Sequence, residues 1–223
     1  MWYTMTNIEI NLKNLKKTID YSKKNAYNQE VEIVCVTKNQ TIESINKAID
    51  LGIKNIGENK VQSFYEKIDD IKPVKCHLIG HLQTNKVKTA INFIDLIQSV
   101  DSIKLATEIN KQSKIINKIS DILIQVNIAQ EETKFGINDY ELHEILFAVS
   151  QMENIRVLGL MAIMPINTDI NYYKKMYDLF QINKNHKYNN ISMDILSMGM
   201  SNDFVQAVSC GANMIRIGSY IFK

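Results

Sequence analysis

Proline occurs twice and tryptophan once in 223 residues, and the three cysteines, Cys35, Cys76 and Cys210, include no CxxC pair. An odd, unpaired set of this kind excludes a disulfide framework and a zinc knuckle, and it fits the reducing cytoplasm. There is no HxH or HExxH spacing, so no metal site is expected. No apolar run is long enough to cross a bilayer. Polar Asn7, Glu9 and Asn11 stand where a signal peptide would carry its apolar core, so no leader is expected. A dominant charge is missing too: 26 basic against 24 acidic residues give a net +2. That balance argues against a nucleic-acid-binding protein. No linker, low-complexity tract or charge run divides the chain, and residues 1–223 read as one domain of ordinary size.

What is present is a regular alternation. Ile8, Leu12, Leu15 and Ile19 recur at helical spacing and predict an extra N-terminal helix over 7–19, followed by a polar loop over 20–30. Eight short apolar segments then read as strands: 31–37, 53–56, 75–79, 94–98, 121–126, 155–160, 192–196 and 213–217. Helices are predicted over 41–51, 60–69, 85–91, 102–112, 138–150, 170–184 and 202–209. Thr41 suits the start of the first of these as a cap and Gly52 lies just past its end. Strands alternating with helices imply a parallel sheet with right-handed crossovers. Eight such units close a (β/α)8 barrel of the TIM type; an open doubly wound sheet is the rival.

Barrel chemistry gathers at the C-terminal ends of the strands. The chain is organised around its last two such ends, Ser197-Met198-Gly199-Met200-Ser201-Asn202 and Met214-Ile215-Arg216-Ile217-Gly218-Ser219. Small-residue turns with free amides make an anion site, and a pair of them reads as a phosphate cradle. Lys38, at the end of the first strand, adds an amine that could meet a carbonyl. Strand alternation puts Val34, Val36 and Lys38 on one face and Cys35 on the other. Met214, Arg216 and Gly218 share a face as well, so an inward Arg216 needs an acceptor. Plainer readings stand beside these. Lys38 suits a solvated lysine, Ser201 a helix N-cap, and Gly218-Ser219 a turn before Tyr220-Ile221-Phe222. His77 suits a hydrogen-bonded core histidine, His81 an exposed loop residue, and Asn127 a residue that braces its own loop.

Several motifs occur together and in order. They are Val36-Thr37-Lys38, Gly57-Glu58-Asn59, His77-Leu78-Ile79-Gly80-His81-Leu82-Gln83-Thr84-Asn85-Lys86, Gln125-Val126-Asn127, Lys134-Phe135-Gly136, Gly159-Leu160-Met161-Ala162-Ile163, Leu196-Ser197-Met198-Gly199-Met200-Ser201 and Arg216-Ile217-Gly218. From about residue 8 to residue 222 the chain resembles the pyridoxal phosphate homeostasis proteins, the YggS/PROSC type. The resemblance implies a single barrel like the N-terminal domain of alanine racemase. It implies pyridoxal 5'-phosphate (PLP) held as a Schiff base on Lys38, with the phosphate against Ser201, Gly218 and Ser219. By the same resemblance Arg216 faces the pyridine side, Asn59 and Met161 line the pocket, and His77 lies in the adjoining wall. Two positions depart from the family pattern. Thr37 replaces a frequent serine, and Gln40 replaces a frequent second lysine, which implies weaker cofactor exchange.

The implied function is vitamin B6 homeostasis. A cytoplasmic, monomeric holder, with no nucleic-acid or membrane partner, would buffer PLP without catalytic residues of its own and deliver it to apo-enzymes. A weak PLP-dependent racemase or transaminase is the alternative, because the ring is an electron sink whatever protein holds it. The two-base racemases draw a second base from another domain or subunit, and this chain ends with the barrel. A barrel binding some other phosphate ester is the third reading.

Overall fold

Residues 6–23, 27, 29–185 and 188–223 are described by the structure, a computed structural model; the loop expected over 20–30 falls partly outside them. Eight parallel strands form a closed barrel in chain order: β1 (Glu32–Val36), β2 (Asn55–Glu58), β3 (Lys75–Leu78), β4 (Leu96–Val100), β5 (Ser120–Val126), β6 (Ile155–Ala162), β7 (Ile191–Met200) and β8 (Met214–Ile217). β8 returns to pair with β1, Val34 opposite Arg216 and Cys35 opposite Ile217. The helices are α1 (Asn7–Ser22), α2 (Ile42–Asp50), α3 (Val61–Tyr65), α4 (Val87–Ala90), α5 (Ile103–Ile115), α6 (Leu142–Ser150), α7 (Ile170–Asn183), α8 (Phe204–Ser209) and α9 (Ser219–Phe222). The barrel expected from the alternation is therefore the observed architecture, and the open sheet is excluded.

Strand alternation divides the apolar residues into two layers. Val34, Ile79, Leu96, Leu123, Met161 and Met214 fill the barrel interior, with Val36, Ile163 and Ile195 packed against them. Cys35, Ile56, Leu78 and Ile217 belong to the larger layer between strands and helices, together with Leu15, Ile45, Phe64 and Leu105. Cys35 thus packs outward, as the period of two requires. Its thiol, and that of Cys76, is pushed up to about 12, in each case chiefly by burial.

Local chemistry sets the helix ends. Thr41 Oγ1 accepts the Ser44 amide at 3.2 Å, and Gly52 turns the chain after α2 with φ of +95°, as the sequence suggested. Ser102 and Asp169 cap α5 and α7 in the same way. Asn11 in α1 donates to the carbonyls of Ile221 (3.1 Å) and Lys223 (2.8 Å), tying the first helix to the last. The final Tyr220–Phe222 is accordingly one helical turn rather than a tail after a turn.

Several boundaries differ from expectation, and three of them bear on the site. β2 lies two residues later than expected and takes in Gly57 and Glu58, because Glu58 finds buried partners there. β7 runs on through Ser197-Met198-Gly199-Met200, so the small-residue turn begins only at Ser201. The helix expected over 60–69 breaks into α3 and a 3-10 turn at Ile68–Asp70. Between them Lys67 has φ −133° and ψ −5°, and its ammonium reaches back to the strand ends.

Candidate functional site at the barrel mouth

The site is built on what β1, β7 and β8 present at their C-terminal ends. Lys38 stands two residues beyond Val36, on the inward-facing alternation. It is exposed, and no hydrogen bond or ion pair among the described residues engages its amine. Asn39, next in the chain, adopts φ of +60°, the left-handed region that asparagine tolerates better than most residues. The chain therefore turns away sharply just after the lysine.

Arg216 enters from β8 and lies inside the barrel, 3% exposed. Its guanidinium donates to Ser197 Oγ at 2.7 Å and to the Ala162 carbonyl at 2.8 Å. Both acceptors are neutral, and among the described residues no carboxylate pairs with it. Burial pushes its pKa down to about 10, partly opposed by the charge of Asp203, so it stays protonated at neutral pH. A guanidinium carries five N–H donors, and a buried cation with only neutral partners favours a ligand acceptor.

Behind Arg216 runs a chain of buried polar groups from three strands. Ser197 Oγ donates to Gln98 Oε1 at 2.7 Å, and Gln98 Nε2 lies 2.9 Å from His77 Nδ1. The ring is held neutral, its pKa pushed down to about 4 by burial and then by Lys75. With Gln98 as donor, Nδ1 is the acceptor and the ring proton sits on Nε2. His77 is thus a hydrogen-bonded interior histidine that backs Arg216 through two intermediaries. Gln98 was not foreseen. Its signal was a glutamine on the Leu96 face of an otherwise apolar strand.

Ser201 and Gly218 meet directly, the Gly218 amide donating to Ser201 Oγ at 3.3 Å. Ser201 is not the N-cap of α8. Asp203 holds that position, its carboxylate accepting the Met200 amide at 2.6 Å and the Tyr173 hydroxyl at 2.8 Å. Ser201 is consequently free of capping duty and sits in the turn between β7 and α8. Gly218 lies against β1: a Cβ there would come within 3.2 Å of both Cβ and the carbonyl oxygen of Val36. Ser219, exposed, opens α9, where a first-turn amide has no intrahelical partner. β8, β1 and the β7 turn are thereby drawn together at one rim.

Asn59 and Met161 occupy different levels. Met161 is fully buried in the interior layer. Asn59 is exposed after β2 and borders a cavity of about 670 Å3 with Gly80, His81, Gln83, Phe135 and Ile163. His81 is not merely exposed. Its ring stacks on Phe135, centroids 3.9 Å apart, and Nδ1 lies 2.9 Å from Asp101 Oδ2. Asn127 does brace its loop, donating to the carbonyls of Glu131 (2.8 Å) and Lys134 (3.3 Å). Two further depressions, of about 470 Å3 each, lie at the N-terminal face among residues such as Glu32, Ile53, Asn55, Glu30 and Asn213. Barrel chemistry does not use that face. No group of three or more metal-ligating side chains occurs among the described residues.

One strand-end cluster escaped the sequence reading. Glu58, buried at the end of β2, accepts the Thr37 hydroxyl at 2.7 Å and the Lys67 ammonium. Glu58 was visible as a strand-end acid, but nothing in the pattern pointed to Lys67, nine positions away in what reads as helix.

Residues 10–223 match the family model for the N-terminal domain of alanine racemase. The chain is 36% identical, over 230 aligned positions covering 98% of each chain, to the pyridoxal phosphate homeostasis protein of Buchnera aphidicola subsp. Schizaphis graminum. Among solved structures it is similar to PipY of Synechococcus elongatus. PipY without PLP superposes with a TM-score of 0.85 at 28% identity, covering 97% of this chain and all of that one. PipY with PLP bound gives a TM-score of 0.79 at 27% identity, with the same coverage. Alanine racemase of Clostridium difficile shares the fold, with a TM-score of 0.74 at 15% identity, and the match covers 56% of its length. The lysine-ended first strand, the buried arginine and the joined turns of β7 and β8 thus sit in a barrel whose sequence matches across nearly its whole length: the chain belongs to the pyridoxal phosphate homeostasis protein family, on the alanine racemase N-terminal domain fold.

Proposed function

We propose that this protein binds pyridoxal 5'-phosphate at the barrel mouth and serves its homeostasis, holding and releasing the cofactor rather than turning over a substrate. The observation that carries the reading is Arg216, a buried cation whose hydrogen-bond acceptors among the described residues are all neutral, between the Lys38 strand and the Ser201–Gly218 turn. These residues fit the group. PLP offers an anionic phosphate, a ring nitrogen that can accept a hydrogen bond, and an aldehyde that condenses reversibly with a primary amine. Lys38 is the amine offered, exposed and unpaired among the described residues. Ser201 Oγ, the Gly218 amide and Ser219 would hold the phosphate. Arg216, protonated at neutral pH, would donate to the ring side and keep a proton off the ring nitrogen, which disfavours carbanion chemistry. Asn59 and Met161 would line the pocket, and His77 would support Arg216 from inside the wall through Gln98 and Ser197.

PipY, solved with PLP bound at 27% identity, supports the reading. We further propose a single-domain, monomeric, cytoplasmic protein whose contacts with apo-enzymes are transient. Purified protein saturated with PLP should pass the cofactor to an apo-enzyme faster than it exchanges the α-hydrogen of any amino acid in deuterated water. Sustained exchange at catalytic rates would instead identify a small PLP-dependent racemase or transaminase.

A further inference from the structure

Resting on that reading, a further role falls to residues beyond the pocket itself. Thr37, immediately before Lys38, is buried and bonded at every polar atom. Its amide donates to the Gly57 carbonyl at 3.1 Å, and its hydroxyl donates to Glu58 Oε1 at 2.7 Å. Its carbonyl accepts two bonds, from the Gln40 amide at 3.1 Å and from Lys67 Nζ at 3.2 Å. That carbonyl belongs to the peptide plane that leads into Lys38. Lys67 also lies 3.4 Å from Thr37 Oγ1 and forms an ion pair with Glu58.

The pair is largely out of solvent, with Glu58 at 1% and Lys67 at 14% side-chain exposure. Buried ion pairs are poor stabilisers compared with apolar residues of the same volume. This one spends its hydrogen bonds on a single residue. Lys67 leaves helical geometry to reach it, between α3 and the 3-10 turn. The amine of Lys38, by contrast, has no partner among the described residues, so the direction of its side chain depends on the backbone that carries it.

We propose that Lys67 and Glu58 are positioning residues, which lock the Thr37–Lys38 peptide so that the Lys38 amine points into the mouth beside Arg216 and the Ser201–Gly218 turn. Displacement of a reacting group by about 1 Å costs on the order of a hundredfold in reactivity, so the lock matters more to condensation with an aldehyde than to folding.

The test compares the wild type with Lys67→Met, Lys67→Arg and Glu58→Gln. Two quantities are read: borohydride-trapped PLP on Lys38 against PLP concentration, and hydrogen exchange of the apo protein. Lys67→Met should raise the half-saturating PLP concentration about tenfold or more. It should also speed exchange in peptides covering residues 37–41 while leaving the other strands protected. Lys67→Arg, which keeps the charge and the donors, should restore most of both, and Glu58→Gln should follow Lys67→Met. Equal trapping by wild type and Lys67→Met would overturn this inference and leave the functional reading intact. Exchange rising across the whole barrel in step with a falling Tm would also overturn it, making the pair purely structural. An unlabelled Lys38 in the wild type would instead remove the functional reading itself, and the inference with it.

Discussion

At the scale of single residues, Arg216 and His77 make opposite demands on the barrel interior. Depressing Arg216 to about 10 corresponds to roughly 3 kcal/mol spent on keeping a buried guanidinium charged. That cost makes sense if a ligand recovers it. Arg216→Met should therefore leave the Tm of the apo protein within a few degrees of wild type, or raise it, while weakening PLP binding at least tenfold. A large loss of apo stability with unchanged affinity would show that the arginine serves the fold. His77 makes a pH prediction. Its folded pKa of about 4 lies below the ordinary value of 6.5, so the unfolded chain binds the extra proton first. Its contribution is therefore complete above pH 6.5 and drains away as pH falls toward 4, by about 3 kcal/mol in all. In urea titrations the stability of wild type minus that of His77→Gln should shrink over that window. A gap that holds constant from pH 7 to pH 4 would contradict the assignment.

At the scale of elements, turns and strand ends decide more than the strands themselves. Gly199 has φ of +95°, and a Cβ there would lie 2.5 Å from that of Ala207. Gly199→Ala should destabilise the protein by about 2 kcal/mol or more through backbone strain and overpacking, read as a lowered urea midpoint. Thr41→Ala, which removes a single cap, should cost about 1 kcal/mol without touching cofactor binding. These elements also show what the sequence carried and what it did not. All eight strands were legible because apolar runs between turn signals persist whatever the tertiary partners. The limits of β2 were not, because a buried Glu58 looks like a loop residue until Thr37 and Lys67 are found around it. The early end of α3 was hidden for the same reason, since Lys67 continues a helical pattern that a distant carbonyl interrupts. The inward face of Arg216 was legible because a period of two fixes it. The plainer reading of Ser201 as a helix cap does not hold, because α8 begins later than the sequence pattern suggests and Asp203 stands at its N-cap position.

At the scale of the whole molecule, the closed ring of strands leaves no free sheet edge, and α1 is fastened to α9 across the chain's two ends. One contiguous layer of buried side chains joins helices and strands all round. Unfolding should accordingly be a single cooperative transition, with circular dichroism and tyrosine fluorescence giving the same midpoint. Two separated transitions would contradict a single domain. Closure also brings β8 beside β1, and with it Arg216 and Gly218 beside the strand that ends in Lys38. The most direct test of the whole account is to saturate the protein with PLP, reduce with borohydride, digest and map the modified peptide by mass. The account predicts one dominant adduct, on Lys38, absent from Lys38→Ala. Label spread over the exposed lysines, or undiminished in Lys38→Ala, would contradict it.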